Sequence, residues 1–170
     1  EAQVVYVDRA GAVLGVRGGR YGPPVDIAKL PPHVSAAFIA IEDRRFYEHT
    51  GFDAIGIARA IVANAEQGRA AQGASTITQQ LARNLFLSAD QTMERKAKEV
   101  MYAVQLERTY SKKQILGLYL SRAYFGSGAY GIEQASRRYF GKSAAKLSVR
   151  EAATLAGVLK SPTKYHPIEQ

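Results

Sequence analysis

The sequence predicts a mainly α-helical fold with a small β-hairpin at its N-terminus. Its 170 residues are 46% apolar. A chain of this length hides roughly 70% of the surface that its unfolded form exposes, so a single core can stabilise it. Apolar residues recur at helical spacing from Val34 onward, and short β-favouring runs lie near the N-terminus. We therefore expect one domain of many short helices around one core.

The composition excludes several classes of protein. There is no cysteine, which rules out disulfide scaffolds, thiolate nucleophiles and cysteine-ligated zinc. The longest apolar run, residues 36–41, is far shorter than the roughly 20 residues that cross a bilayer. The 23 Lys and Arg residues outnumber the 15 Asp and Glu residues, for a net charge of +8. This charge favours an anionic membrane surface or a phosphorylated substrate, and nucleic acid ranks third because its binding motifs are absent.

The N-terminal part, residues 1–30, is predicted to be a hairpin followed by a linker, and residues 31–170 form the main domain. Residues 4–7 and 12–16 are β-favouring runs separated by a short turn. Because the chain begins at Glu1 and not at a methionine, we also expect it to be part of a longer protein.

Three helices are predicted in the first half of the main domain. The first ends at Glu42, and the second begins at Asp53, a good N-cap residue, and ends near Gly68. The third follows a loop with Gly73, and its polar residues share a face separate from its apolar stripe. The apolar residues at helical spacing are Val34, Phe38 and Ile41, then Ile57 and Ile61, then Ile77, Leu81 and Leu85.

Helices are predicted to continue over residues 93–109 and 111–120 and from Ser148 to Leu159, before Pro162. The last two begin with a capping-box pattern, a serine followed three residues later by Gln or Glu. The capping-box pairs are Ser111 with Gln114 and Ser148 with Glu151.

A glycine-rich stretch, YFGSGAYG at residues 124–131, separates two predicted helices. Gly126, Gly128 and Gly131 have the spacing GxGxxG, but no strand in a βαβ context precedes them, which disfavours a dinucleotide site. We interpret these glycines as turn formers, and we expect no organic cofactor.

Four segments are more specific than composition. They are EDRRFYEHTGFD at 42–53, GASTITQQLARNLFL at 73–87, RKAKE at 95–99, and KKQILGLYLS at 112–121 followed by YFGSGAYGIEQASRRYFGK at 124–142. In this order they resemble the motifs of the peptidoglycan glycosyltransferase family, glycosyltransferase family 51, found in class A penicillin-binding proteins and in monofunctional cell-wall polymerases. The resemblance implies a lysozyme-like multi-helix fold and makes the main domain the glycosyltransferase domain.

Glu42 suits the role of a general base. Forming a glycosidic bond from a sugar pyrophosphate requires a base for the acceptor hydroxyl and cations for the leaving group. Glu42 follows an apolar helix face, and both partial burial and the adjacent Asp43 disfavour its charged form. From this segment alone, an ion pair with Arg45 at the helix end is the favoured interpretation. The resemblance reverses that preference, because Glu42 stands at the position of the family's catalytic base.

Glu99 lies one helical turn after Arg95, and Lys96 adds a second positive charge. By itself this pattern predicts an ordinary surface ion pair, worth less than about 1 kcal/mol. The resemblance implies that Glu99 is a second catalytic carboxylate and that Arg95 and Lys96 face the phosphates. Two carboxylates also occur in glycoside hydrolases, so a lysozyme-like lytic glycosidase is the alternative.

The segment from Gly73 to Arg83 is a candidate anion site. A glycine loop that leads into a helix start presents free N–H groups and the positive end of the helix dipole. The polar residues there could equally be the solvated face of an amphipathic helix. The resemblance favours contacts with the sugar and pyrophosphate of the donor, from Ser75, Thr76, Gln79, Gln80, Arg83 and Asn84.

His49 is interpreted as a structural hydrogen-bonding group. There is no HExxH spacing, and the other histidines are far away in sequence, so a histidine metal site is not expected. By resemblance, Asp43, Phe46 and His49 shape the substrate-binding cleft.

The resemblance implies an enzyme that polymerises lipid II into β-linked glycan strands, with inversion at the donor carbon. It implies a divalent metal, Mg or Mn, whose ligands are unknown. Expected partners are lipid II, the growing glycan strand, the bacterial membrane surface and other cell-wall synthesis proteins, but not nucleic acid. The expected location is the extracytoplasmic face of the inner membrane, as the periplasmic domain of an anchored protein. A non-catalytic membrane- or glycan-binding module is a further alternative.

Four positions depart from the family's usual pattern. A glycine inside a helix costs about 1 kcal/mol relative to alanine, so Gly117 is expected to soften the fourth motif. Arg83 keeps the charge of the usual lysine, whereas Gln91 loses a charge that could bind pyrophosphate. The departures are Gly117 for glutamate, Ser121 for asparagine, Arg83 for lysine and Gln91 for arginine.

Overall fold

The computed structural model of the protein describes residues 4–10, 13–17, 25–67, 75–87 and 92–160. This part is mainly α-helical, as the sequence predicts, and contains seven α-helices. The strands are β1 (Val4–Val7) and β2 (Val13–Arg17), and the α-helices are α1 (Pro32–Glu42), α2 (Ala54–Gln67), α3 (Ile77–Phe86), α4 (Met93–Thr109), α5 (Lys112–Arg122), α6 (Ile132–Phe140) and α7 (Val149–Lys160). Two single-turn 3₁₀ helices are Ile27–Lys29 and Ala144–Lys146.

The strands β1 and β2 pair in antiparallel register, with Val4 opposite Arg17 and an irregularity between Tyr6 and Val7.

Within the described ranges, no helix is both long and apolar enough to cross a membrane.

Helix α5 lies at the centre of the core and packs against α3, α4, α6 and the 3₁₀ helix at Ile27–Lys29. Its residues Ile115, Leu116 and Leu120 have no exposed surface. Helix α1 packs against α7, and α3 packs against α4. Buried apolar side chains join these pairs into one cluster, and the predicted stripe residues Val34, Phe38, Ile77 and Leu81 belong to it.

Four residues of the predicted apolar stripes are fully buried, whereas Ile57 and Leu85 are half-buried. Val34 and Phe38 on α1, and Ile77 and Leu81 on α3, have no exposed surface. Ile41 is 37% exposed, because α1 ends at the next residue and the chain turns away from the core. Ile41 instead lines a pocket that is described below.

The predicted helix starts coincide with observed caps. Ser111 and Gln114 form a complete capping box, and the Ser148 hydroxyl accepts from the amide of Glu151, whose carboxylate accepts from the amide of Ser148. Helix α2 begins at the residue after Asp53, as predicted. The predicted roles of Gly68, Gly73, Gln91 and Pro162 lie outside the described residues.

Gly131 brings the glycine-rich turn onto the end of α5. Its φ is +86°, and a Cβ atom there would lie 2.6 Å from the carbonyl oxygen of Ser121. Gly126 and Gly128 also have positive φ, at +80° and +74°. These conformations confirm the interpretation of the three glycines as turn formers.

Gly117 is a close-approach glycine and not a soft position in α5. A Cβ atom there would lie 2.5 Å from the carbonyl oxygen of Val25, which crosses over the helix. Ser121, one turn later, accepts a hydrogen bond from the Val25 amide at 2.6 Å and donates one to the Gly117 carbonyl at 2.6 Å. Two of the four departures from the family pattern, Gly117 and Ser121, thus both contact the backbone of Val25. At Gly117 the structure has a tight contact in place of the expected softening.

Gly117→Ala should destabilise the protein by about 1–2 kcal/mol, because displacing a backbone carbonyl costs more than the gain of about 1 kcal/mol in helix propensity. Gly157→Ala on α7 is the matched control, since a Cβ atom there has no neighbour within 4 Å. That variant should be neutral or more stable. Urea unfolding of both variants measures the difference, and equal stabilisation of the two would contradict the close approach at Gly117.

Candidate active site

A pocket of about 190 Å³ lies where the end of α1, the start of α2 and the start of α3 meet. Four of the residues predicted to act on a substrate line it: Glu42, Asp43, Ser75 and Thr76. The other lining residues are Ile41, Arg44, Arg45, Asp53, Gly56 and Arg59. The pocket therefore combines carboxylates with three arginines, which suits a reaction with an acidic leaving group.

Asp43 connects the end of α1 to the start of α3. Its side chain is almost fully buried, and its Oδ2 accepts a hydrogen bond at 3.0 Å from the amide of Ile77, the first residue of α3. Both carboxylate oxygens also lie within 3.0 Å of Nε2 of His49. A carboxylate at this place is stabilised by the free N–H groups and the positive end of the α3 dipole.

His49 holds the loop after Asp43 in shape. Its Nδ1 accepts a hydrogen bond from the Gly51 amide at 3.1 Å, so the ring proton sits on Nε2 and is donated to Asp43. The carbonyl oxygen of Gly51 in turn accepts from the hydroxyl of Thr76 at 2.8 Å. The loop is thus tied at two points to the N-terminus of α3, in keeping with a structural role for His49.

Glu42, the last residue of α1, is half-buried, and its two carboxylate oxygens differ in their hydrogen bonding. Its Oε2 accepts a hydrogen bond from Nε2 of Gln80 at 2.9 Å. Its Oε1 is buried and has no hydrogen-bond partner among the described residues. A buried unpartnered oxygen is costly and is expected mainly where function requires it.

The ion pair between Glu42 and Arg45 that the local sequence favours is not formed. Arg45 instead pairs with Glu48 at 2.8 Å and with Asp53 at 3.5 Å. The reason is geometric: the chain leaves α1 after Glu42 and enters a series of turns that directs Arg45 toward the start of α2.

Tyr119 on α5 completes a chain of hydrogen bonds to Glu42. Its hydroxyl donates to Oε1 of Gln80 at 3.0 Å. Burial, assisted by the negative charge of Glu42, raises the pKa of the Tyr119 hydroxyl well above its usual range, so the hydroxyl remains a donor. The order of donation therefore runs from Tyr119 to Gln80 and from Gln80 to Glu42.

Glu99 is fully buried, which corrects the expectation of an ordinary surface ion pair. Helix α4 packs this face against α3, and sequence spacing alone does not reveal that. One carboxylate oxygen lies 2.5 Å from Nζ of Lys96, and the other lies 3.5 Å from Nη1 of Arg95. Lys96 also donates to the hydroxyl of Ser75 at 2.9 Å, so a path of contacts connects Glu99 to the pocket.

The polar face predicted on α3 divides into structural and accessible residues. Thr76 and Gln79 form a reciprocal capping box, and Gln79 is only 1% exposed. Gln80 contacts Glu42, as described above, whereas Arg83 is half-buried and Asn84 is exposed. The structure therefore gives Thr76 and Gln79 capping roles, and Thr76 also lines the pocket.

Phe46 lies in the core and lines no part of the pocket. It has no exposed surface and packs edge-on against Tyr47, with the ring centroids 5.2 Å apart. Nζ of Lys112 lies 4.4 Å from the centre of its ring. Its full burial leaves no surface for direct contact with a substrate in this conformation.

Sequence reasoning missed several residues of the site. Arg44 and Arg45 belong to a recognised motif, and their doublet was the available signal for the arginines of the pocket. Arg59 on α2 carried no such signal, because only the packing of helices brings it to the pocket. Tyr119 lies in the motif at 112–121, but its place there does not reveal its contact with Gln80.

The described residues contain no group of three or more His, Cys, Asp or Glu side chains that could hold a metal ion. A resident metal site made of protein ligands therefore has no support in this part of the chain.

Comparison with known proteins identifies relatives along almost the whole chain. The sequence profile of the family described as Transglycosylase matches residues 11–170. Penicillin-binding protein 1A of Aquifex aeolicus is 50% identical over 98% of this chain and 23% of its own length. Penicillin-binding protein 1F of Bacillus subtilis is 51% identical over 85% of this chain and 20% of its own length. Penicillin-binding protein 1A of Escherichia coli is 46% identical over 93% of this chain and 19% of its own length. The chain thus spans about a fifth of these relatives.

Asp43→Ala should lower the free energy of unfolding by about 2–4 kcal/mol, because it leaves the Ile77 amide and Nε2 of His49 without their acceptor in a buried place. Asp26→Ala is the matched control. That aspartate caps a single 3₁₀ turn at an exposed site, and its loss should cost about 1 kcal/mol or less. Thermal and urea unfolding test the contrast, and an equally small loss for both variants would refute the role assigned to Asp43.

Proposed function

The chain belongs to the transglycosylase family and is a peptidoglycan glycosyltransferase domain related to those of class A penicillin-binding proteins, and from this premise we propose that it polymerises lipid II into β-linked glycan strands. Lipid II is a disaccharide-peptide carried on undecaprenyl pyrophosphate. The observation that carries the proposal is the buried, unpartnered Oε1 of Glu42 in a pocket that also contains three arginines.

Glu42 is the proposed general base. Protonation of Asp43 would compete with its contacts to the start of α3 and to His49, and protonation of Glu99 would weaken its pairs with Lys96 and Arg95. A proton placed on Oε1 of Glu42 breaks neither a hydrogen bond nor an ion pair among the described residues, whereas Oε2 of Glu99, which also has no hydrogen bond, lies 3.5 Å from Nη1 of Arg95. A base must take up a proton readily in the transition state, and of these three carboxylates Glu42 meets that condition best.

The proposed reaction is a single displacement at the anomeric carbon of the donor. The attacking sugar hydroxyl gives its proton to Oε1 of Glu42, and its oxygen forms a bond to the anomeric carbon. The bond from that carbon to the pyrophosphate oxygen breaks, and the pyrophosphate leaves with the electron pair. Attack from the side opposite the leaving group inverts the configuration and gives the β linkage.

The leaving pyrophosphate gains negative charge, and we propose that the basic residues of the pocket stabilise it. Arg44, Arg45 and Arg59 line the pocket directly. Lys96 reaches it through Ser75 and is itself held by the buried Glu99. Glu99 then acts by fixing a cation in place, because its carboxylate is enclosed by Lys96 and Arg95.

A divalent metal, Mg or Mn, is the cofactor expected from the family resemblance. The described residues have no cluster suited to bind it, so we assign no step of the reaction to it.

We further propose that the domain works at the extracytoplasmic face of the bacterial inner membrane, as part of a longer anchored protein. Its substrate is lipid-linked, and its partners are the growing glycan strand, the membrane surface and other cell-wall synthesis proteins. Phe52, Ile55 and Val62 support this placement, because they are 43–61% exposed on or beside α2, whose first turn borders the pocket. Exposed apolar side chains close to a site are typical of a lipid-facing surface.

Glu42→Gln should lower the turnover of labelled lipid II by about 10²–10⁴-fold, because the amide cannot take the proton from the attacking hydroxyl. Glu151→Gln is the matched control, since Glu151 caps α7 and lines no part of the pocket. Its turnover should stay within about twofold of the parent. Product size on gels separates the outcomes: long polymer from the parent supports the proposal, whereas shortening of finished glycan without synthesis would replace it with a lytic activity.

A further inference from the structure

We propose that Tyr119 is a positioning residue that fixes the amide of Gln80 and thereby decides which oxygen of Glu42 receives the proton. This inference rests on the proposed function, because it gives the base an orientation. Tyr119 is 2% exposed, which keeps it from the substrate, and the described hydrogen bonds connect it to Glu42 through Gln80.

The direction of the hydrogen bonds follows from the chemistry of their ends. An ionised carboxylate accepts hydrogen bonds and donates none, so the end of Gln80 that faces Glu42 is its NH₂ group. The carbonyl end of Gln80 then faces Tyr119, and the tyrosine hydroxyl must donate to it. The high pKa of that hydroxyl keeps its proton in place at every pH at which an enzyme works.

Without the Tyr119 hydroxyl, the carbonyl end of Gln80 loses its donor, and the contact with Glu42 alone holds the amide. The amide can then swing about that contact, so the N–H group that binds Oε2 of Glu42 is no longer held in one place. The side chain of Glu42 would shift, and its two oxygens would no longer be distinguished by a fixed donor.

The fixed donor matters because a neutral amide orients a carboxylate without neutralising it. Lys96 and Arg95 contact Glu99 with full positive charges, whereas the group that contacts Glu42 is a neutral amide. Gln80 occupies Oε2 of Glu42 and leaves Oε1 without a hydrogen-bond partner among the described residues. The packing of α3 against α5 keeps Gln80 and Tyr119 at this distance.

The test compares Tyr119→Phe with Tyr139→Phe, using lipid II polymerisation by the protein in detergent. Tyr139 also donates its hydroxyl to a carbonyl oxygen, that of Phe125 at 2.7 Å, but contacts neither Gln80 nor Glu42 in any described hydrogen bond. Tyr119→Phe should lower kcat roughly 5- to 20-fold and leave KM for lipid II within about twofold. Tyr139→Phe should leave both constants within about twofold, although it too loses a hydrogen bond.

A double-mutant cycle separates positioning from general damage to the structure. Gln80→Met removes both ends of the amide at nearly constant size, and adding Tyr119→Phe to it should cause no further fall in kcat. If the separate effects of Gln80→Met and Tyr119→Phe on kcat multiply in the double variant, the proposal is overturned. A fall in kcat for Tyr139→Phe as large as that for Tyr119→Phe would also overturn it. A Tyr119→Phe variant with kcat within twofold of the parent would also overturn it. If Glu42→Gln is inactive in the same assay, that failure concerns the positioning role alone, and the proposed function stands.

A measurement without turnover keeps the two proposals distinguishable. The side-chain amide of Gln80 gives two proton signals in ¹⁵N NMR spectra, assigned by their loss in Gln80→Met. Tyr119→Phe should shift these signals and speed their exchange with water, whereas Tyr139→Phe should leave them in place. Unchanged signals in Tyr119→Phe would overturn the positioning role even if the parent protein made no polymer.

Discussion

The carboxylate of Asp43 is the contact on which the rest of the site depends. It follows Glu42 directly in the chain, yet its hydrogen bonds reach the first amide of α3 and the ring of His49. A negative charge at a helix N-terminus is stabilised by the free amides of the first turn, so this contact has a fixed place on α3. Gln80 lies one turn further along the same helix. The distance between Glu42 and Gln80 is therefore set by the position of Asp43.

The parts of the fold that depend on local chemistry could be predicted from the sequence. The caps at Ser111 and Ser148 depend on residues three positions apart. The spacing of apolar residues predicted helices whose apolar side chains belong to the core. The contact at Gly117 could not be predicted in this way. Its partner, Val25, is remote in sequence, and only the path of the N-terminal segment over α5 reveals why a larger residue does not fit.

The sequence motifs could be predicted to belong to the candidate site, but the contacts between their side chains could not. The motif residues Glu42 and Glu99 were identified, but the local sequence favoured a surface ion pair for each. The structure buries Glu99 and directs Arg45 away from Glu42, because helix packing overrides spacing along the chain. Tyr119 was missed for the same reason. Burial and the sign of the neighbouring charges, which separate the two carboxylates, arise only when α3, α4 and α5 come together.

The most direct test of Glu42 as the base is a crystal structure of the protein with a lipid II analogue bound in the attacking position. We predict that the attacking sugar hydroxyl lies within about 2.6–3.2 Å of Oε1 of Glu42, while Gln80 still donates to Oε2. The arginines of the pocket should face the pyrophosphate. An attacking hydroxyl bound to Glu99, or a cation bound at Oε1 of Glu42, would contradict the account.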